Sequence, residues 1–173
     1  MNKISIVIPT LNRPVSLVLA VTSVLEQKHL PDELIIVDQS VDERSYIAVE
    51  RLYKNFDVTP KLIYLHEPEV SGLPEAKQRG VEVAKGDIIS FLEDDVVLHQ
   101  QYLENSISVF KSNQKVMGCC GVISNIYSGI LYEYLFKLFH RGIFYDSRLN
   151  IGKNRDCQGL GELLPSRYLS GGI

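Results

Sequence analysis

Short apolar runs alternate along the chain with longer segments in which apolar residues recur at helical spacing. The runs are rich in β-branched residues and have the length of buried strands. They are Ile4–Ile8, Leu34–Val37, Leu62–Leu65 and Ile88–Leu92. The segments with helical spacing predict helices over Pro14–Leu25, Glu43–Lys54, Leu73–Lys85 and Gln100–Ser112. Strands that alternate with helices predict an α/β fold with a mostly parallel central sheet flanked by helices.

Residues at the ends of these segments support the boundaries. Pro14 suits the first position of a helix, where its missing N–H costs nothing. Asp42 is the expected cap of the second helix, and Gly86 is expected to close the third. The sequence therefore predicts each boundary from local chemistry as well as from periodicity.

Polar residues follow the predicted strands at the points where those strands end. Thr10 follows the first strand, Asp38 the second, His66 the third and Glu93–Asp95 the fourth. In a parallel sheet these positions share the carboxyl edge, where open α/β sheets bind their ligands. We therefore expect these residues to converge on one site.

The acidic cluster Glu93–Asp95 has two interpretations. Three adjacent carboxylates repel one another, so partial enclosure is costly unless a cation compensates. Mg²⁺ or Mn²⁺ holding a phosphorylated ligand would offset that cost, because both metals prefer oxygen ligands. The alternative is a solvated acidic turn that caps the next helix. The cluster alone favours neither.

Composition excludes several classes of protein. The chain has 173 residues, enough for one domain, with a formal net charge of -3, which argues against binding to nucleic acid. Cys119 and Cys120 lie in an apolar run and are expected to be core thiols of a reduced, cytoplasmic protein. The sequence has neither a GxGxxG turn after the first strand nor a GxxxxGK[ST] loop, so dinucleotide-binding and P-loop folds are not supported.

Five motifs in order resemble those of family-two glycosyltransferases with the GT-A fold. They are SIVIPTLNRP, LIIVDQSVD, GLPEAKQRG, GDIISFLEDDV and YLSGG. The resemblance implies a Rossmann-like fold that binds a nucleotide-diphospho-sugar, most often a UDP-sugar, together with Mn²⁺ or Mg²⁺. It also implies transfer of the sugar, with inversion, to a glycan or lipid-linked acceptor.

The resemblance also implies roles for residues that bind the donor. Pro9 and Thr10 match the turn that touches the nucleoside, and Asp38 matches the acid that accepts a hydrogen bond from the base. Arg13 is a candidate cation for the donor. Lys77 stands where the family usually has arginine, and it falls on the same helical face as Gly80. It either extends to the rim or meets the negative charge of the donor, and the resemblance favours the second.

The remaining roles concern the metal and the acceptor. Asp94 would lie towards the ribose and Asp95 would coordinate the metal, with Glu93, at a position where the family often has another Asp, as the second candidate metal ligand. A loop of Ser170, Gly171 and Gly172 matches the one that passes close to the sugar and the acceptor.

We expect a single domain over residues 1–173, with a nucleotide-binding half at 1–123 and the start of an incomplete acceptor-side half at 124–173. The catalytic base is expected beyond Ile173, so none is assigned. The alternative function is a non-catalytic nucleotide-sugar binding module, either a fragment or a degenerate enzyme. The aromatic stretch Tyr127–Tyr145 is interpreted as a core-packing helix, with peripheral contact at the inner membrane face as the alternative.

Overall fold

The described part of the chain is built on one six-stranded sheet. This computed structural model describes residues 3–113 and 115–121, together with the backbone of 162–165. The strands are β1 (Ile4–Thr10), β2 (Glu33–Asp38), β3 (Lys61–His66), β4 (Ile88–Phe91), β5 (Cys119–Cys120) and β6 (Glu162–Pro165). The helices are α1 (Pro14–Leu25), α2 (Arg44–Tyr53), α3 (Leu73–Val83) and α4 (Tyr102–Ser112).

The sheet has the strand order β3-β2-β1-β4-β6-β5. β1 pairs in parallel with β2 and β4, and β2 pairs in parallel with β3. β6 runs antiparallel to both β4 and β5. The predicted α/β fold with a mostly parallel sheet is therefore confirmed, while β6 was not predicted.

Both faces of the central strands are buried, which explains their continuous apolar sequences. Ile4, Ile6 and Ile8 of β1 belong to a core cluster that also contains residues of α1 and α4. Val7, on the opposite face of β1, packs in a second cluster with Ala76 of α3. Successive side chains of a strand alternate between faces, so one sheet supports a helical layer on each side.

Close packing fixes α3 against β1. Gly80 is buried, and a Cβ atom at this position would lie 2.3 Å from Cγ1 of Val7. Only hydrogen therefore fits there. This contact sets the position of the helix that includes Lys77.

Three boundary predictions need correction. α3 ends at Val83, and Ala84 is already extended, so Gly86 does not close the helix. Gly86 instead packs against β1, where its N–H donates to Ser5 Oγ at 2.9 Å.

α4 begins at Tyr102 rather than Gln100. Asp42 precedes the cap position of α2, which Glu43 occupies, although an Asp42 oxygen accepts the Arg44 N–H at 3.0 Å.

The prediction for the cysteines is half wrong. Cys119 is partly buried and packs against the first core cluster, whereas Cys120 is exposed. Neighbouring residues of a strand point to opposite faces, so both thiols could not enter the same core.

Several predictions concern residues outside those that the structure describes. They are the aromatic stretch Tyr127–Tyr145 and the proposed acceptor loop of Ser170, Gly171 and Gly172. Among the helices that the structure does describe, none has the length and apolar character needed to cross a membrane.

Candidate functional site

The ends of the parallel strands bring the predicted polar residues together. Thr10, Asp38 and His66 lie in register at the carboxyl ends of β1, β2 and β3. On the other side of β1, the Leu92 N–H donates to Val7 O at 3.0 Å. This hydrogen bond places the acidic residues after β4 beside the turn after β1. The predicted convergence at the carboxyl edge is confirmed.

Asp94 and Asp95 share one cationic nitrogen. Nη1 of Arg13 lies 3.2 Å from Asp94 Oδ1 and 3.1 Å from Asp95 Oδ2. Asp94 is only 7% exposed, and its Oδ2 also accepts the Thr10 hydroxyl hydrogen bond at 2.7 Å. The attraction of Asp94 is the largest cause that raises the pKa of Arg13, followed by its hydrogen bond to Asp94 and the attraction of Asp95. We call Asp94 and Asp95 the acid pair.

Glu93 has a different partner. Nζ of Lys77 lies 3.0 Å from Glu93 Oε1 and 5.4 Å from the centre of the Phe91 ring. The Lys77 side chain is 25% exposed, so its ammonium is held between a carboxylate and an aromatic face rather than in open water. Lys77 therefore extends to the rim of the site, where it pairs with Glu93, and its contact with the negative charge of a donor stays a prediction.

The donor chemistry of the acid pair fits a divalent cation. Within residues 3–113 and 115–121, no group of three or more His, Cys, Asp or Glu side chains is arranged to hold a metal. Mg²⁺ sites in nucleotide enzymes commonly use one or two carboxylates and complete their coordination with phosphate and water. Two carboxylates that already converge on one positive atom meet that requirement, whereas Glu93 is engaged by Lys77.

Asp38 is more enclosed than the sequence suggested. It is 0% exposed, and its two oxygens accept hydrogen bonds from the Ser40 N–H at 2.9 Å and the Tyr64 hydroxyl at 2.5 Å. Burial, followed by the hydrogen bond to Asp38, raises the pKa of Tyr64. Nε2 of His66 lies 2.7 Å from Ser40 O, and because a carbonyl only accepts, this nitrogen is the donor.

Gln39 was not predicted from the sequence, but its side chain faces the site, whereas that of Asp38 does not. Its Nε2 donates to Val70 O at 2.7 Å and to Gly72 O at 3.3 Å. Gly72 has φ +95°, in the left-handed region that favours glycine, and directly precedes α3. Gln39 thus ties the end of β2 to the start of α3. The alternation of side chains along an extended chain, which puts neighbouring residues on opposite faces, was the available indication.

The turn after β1 has a fixed backbone. Asn12 adopts φ 57°, a left-handed conformation that asparagine tolerates better than most residues. Its N–H donates to Ser40 Oγ at 2.8 Å, and Gln39 N donates to Thr10 O at 3.0 Å. The backbone from which the Arg13 side chain extends is therefore anchored on the two residues that follow β2.

A cavity of about 430 Å³ opens beside these residues, a size typical of small-molecule sites. It is lined by Pro9, Thr10, Leu11, Asn12, Arg13, Gln39, Gly72, Leu73, Glu93 and Asp94. The predicted residues Pro9, Thr10, Arg13, Glu93 and Asp94 are among the lining residues, whereas Asp38, Lys77 and Asp95 are not.

The sequence matches the family described as Glycosyl transferase family 2 over residues 5–160. A curated relative is the GalNAc(5)-diNAcBac-PP-undecaprenol beta-1,3-glucosyltransferase of Campylobacter jejuni, with 29% identity over 139 residues. That alignment covers 75% of this chain and 43% of the relative, so the chain spans less than half of that protein.

Two solved structures share the fold. A mannosyltransferase from Pyrobaculum calidifontis in complex with GDP-Man and Mn²⁺ has a TM-score of 0.60 and 21% identity, covering 70% of this chain and 36% of that one. Glucosyl-3-phosphoglycerate synthase from Mycobacterium tuberculosis, in complex with Mn²⁺, UDP and phosphoglyceric acid, has a TM-score of 0.61 and 18% identity. It covers 96% of this chain and 56% of that one. At these identities the likeness concerns the fold.

Proposed function

Because the chain belongs to glycosyl transferase family 2, we propose that it forms the donor-binding part of an enzyme that transfers a sugar from a nucleotide-diphospho-sugar. The observation that supports this most is the convergence of Thr10, Arg13 and Asp94 at the carboxyl edge, beside a cavity of about 430 Å³. Ligands of open α/β sheets bind at this edge.

The cavity suits a donor with a polar, anionic part and a flat base. Arg13 lines it, and Lys77 lies next to the lining residue Glu93, so two cations are within reach of a diphosphate. Pro9 and Leu11 add apolar surface, and Gln39 adds a polar side chain at the end of β2. We propose UDP as the nucleotide, with GDP as the competitor to be tested, since the two related folds are described with GDP-Man and UDP respectively.

We propose that the acid pair holds Mn²⁺ or Mg²⁺. The metal would act as a Lewis acid that neutralises charge on the departing nucleotide diphosphate. The chain's own residues prepare this position: the Thr10 hydroxyl holds Asp94 Oδ2, and Lys77 holds Glu93 away from the pair. Asp95, whose side chain is 59% exposed, is the more accessible of the two acids.

The reaction we propose is a single displacement with inversion. The acceptor oxygen forms a bond to the anomeric carbon while the bond from that carbon to the diphosphate breaks. The proton of the acceptor hydroxyl goes to a carboxylate base. No residue of this chain is assigned that role. The Campylobacter relative is named for an undecaprenol-linked glycan, which supports a glycan or lipid-linked acceptor.

Calorimetric titration with UDP, GDP, CDP and ADP, each with and without Mn²⁺, tests donor binding. We expect UDP to bind most tightly, and at least about tenfold more tightly when Mn²⁺ is present, because the acid pair otherwise repels the diphosphate. Asp95→Asn is the matched variant, and it should lose the Mn²⁺-dependent gain while it keeps the fold. Absence of heat with every nucleotide at millimolar concentration would contradict the proposal.

A further inference from the structure

One nitrogen of Arg13 lies between the two carboxylates of the acid pair and contacts both. Nη1 lies within 3.2 Å of an oxygen from each carboxylate, so a single positive atom bridges Asp94 and Asp95. A divalent cation that binds the acid pair needs the same two carboxylates. Two positive groups at one acid pair repel each other and compete for the same oxygens.

We propose that Arg13 is an exchangeable counter-ion of the acid pair, which holds the two carboxylates together in the absence of a metal and leaves them when a divalent cation binds. This inference rests on the proposed metal role of Asp94 and Asp95. It adds that the chain sets its own metal affinity through a competing residue, so Arg13 lowers that affinity rather than supporting it.

The backbone of Arg13 is anchored, whereas its side chain is largely exposed. Its carbonyl accepts the Leu17 N–H at 3.0 Å in the first turn of α1, and the preceding Asn12 is bound to Ser40. The Arg13 side chain is 56% exposed, and within the described residues its only ion-pair partners are Asp94 and Asp95. Within the described residues, release of the guanidinium therefore breaks no other ion pair or hydrogen bond of the side chain, which can then turn into the cavity that it lines.

Arg79 provides a natural comparison. It also contacts two carboxylates, but through different atoms: Nε lies 2.8 Å from Glu67 and Nη1 lies 3.0 Å from Glu82. Those two carboxylates do not share one nitrogen. Removal of the Arg79 charge thus frees two acids without creating a common point for a metal.

The test measures Mn²⁺ binding to the chain without nucleotide, from the loss of the free-ion signal in electron paramagnetic resonance. Arg13→Gln should bind Mn²⁺ about fivefold more tightly than the wild type, the size expected for release of two ion pairs made by a largely exposed guanidinium. Arg13→Lys, which keeps the charge, should stay near the wild type. Arg79→Gln should not change the affinity, and Asp95→Asn added to Arg13→Gln should abolish the gain.

The outcomes separate this inference from the proposed function. Equal Mn²⁺ affinities for the wild type and Arg13→Gln, or weaker binding by Arg13→Gln, overturn the exchange and leave metal dependence standing. A gain in Arg79→Gln as large as that in Arg13→Gln also overturns it, because the effect would then be one of net charge. Failure of both the wild type and Arg13→Gln to bind Mn²⁺ overturns the exchange and the metal role together.

Discussion

The hydroxyl of Thr10 donates a hydrogen bond of 2.7 Å to Oδ2 of Asp94, a residue 84 positions later in the chain. Both side chains are largely buried, so water competes only weakly for the bond. It joins the end of β1 to the first residues after β4 and holds one carboxylate of the acid pair.

Thr10→Val removes this hydroxyl with almost no change of shape. We expect the free energy of unfolding to fall by about 1–3 kcal/mol, because the buried Asp94 carboxylate loses a partner. Chemical denaturation followed by circular dichroism measures the change. Thr10→Ser keeps the hydroxyl and is the control, expected to retain most of the stability. A valine variant as stable as the wild type would show that the bond contributes nothing.

Gly80→Ala tests the close packing of α3 on β1. Alanine normally stabilises a helix by about 1 kcal/mol relative to glycine. Here its Cβ would meet the stiff, buried Val7 at 2.3 Å, so we expect a net loss of about 1–3 kcal/mol from overpacking. Thermal denaturation reports the loss, and Gln78→Ala, at an exposed position of the same helix, should be nearly neutral.

A second substitution separates the clash from other effects of the alanine. Val7→Ala shortens the side chain that Gly80→Ala would strike. The double variant should therefore be less destabilised than the sum of the two single variants. If Gly80→Ala stabilises the chain, as it would in an exposed helix, the packing described for α3 is wrong.

Two partly buried tyrosines, Tyr53 and Tyr64, should ionise at a higher pH than exposed tyrosines. Burial raises the pKa of Tyr53, and burial together with the hydrogen bond to Asp38 raises the pKa of Tyr64. The unfolded chain ionises its tyrosines near a pH of about 10, so the stability contributed by the neutral phenols is present below that pH and is lost above it. We expect a drop in stability above that pH, and Tyr53 and Tyr64 should ionise only when the chain unfolds.

Tyrosinate absorbance during alkaline titration counts the late groups. Tyr53→Phe is the cleaner variant, because the Tyr53 hydroxyl has no hydrogen-bond partner in the described part of the chain. That variant should leave one late tyrosine fewer without loss of a bond. Titration of every tyrosine in one step in the folded chain would contradict the burial of these two side chains.

Sequence periodicity was enough to predict the first four strands and their common carboxyl edge. A continuous apolar run such as Ile4–Ile8 fits a strand that is covered on both faces, and β1 is such a strand. Parallel pairing then places Thr10 beside Asp38 with no further information. The location of the candidate site follows from the fold class and the strand ends alone.

Partners of individual side chains required the structure. Glu93 and Asp94 are adjacent in sequence, yet one contacts Lys77 and the other contacts Thr10 and Arg13. The direction in which each side chain points depends on the backbone conformation after β4, and the spacing of apolar residues in the sequence does not predict that conformation. β6 was missed for a related reason: it joins β4 from more than 70 positions further along the chain, and long-range pairing of a short segment leaves little local trace.

The strand order has a consequence for the whole chain. β1 lies between β2 and β4, so the cavity is walled by residues near the start of the chain and by residues more than 80 positions later. A nucleotide held there would have to be released before the edge between β1 and β4 could open. Occupancy should therefore raise the melting temperature in proportion to the logarithm of ligand concentration, which makes thermal shift a direct means of ranking candidate donors.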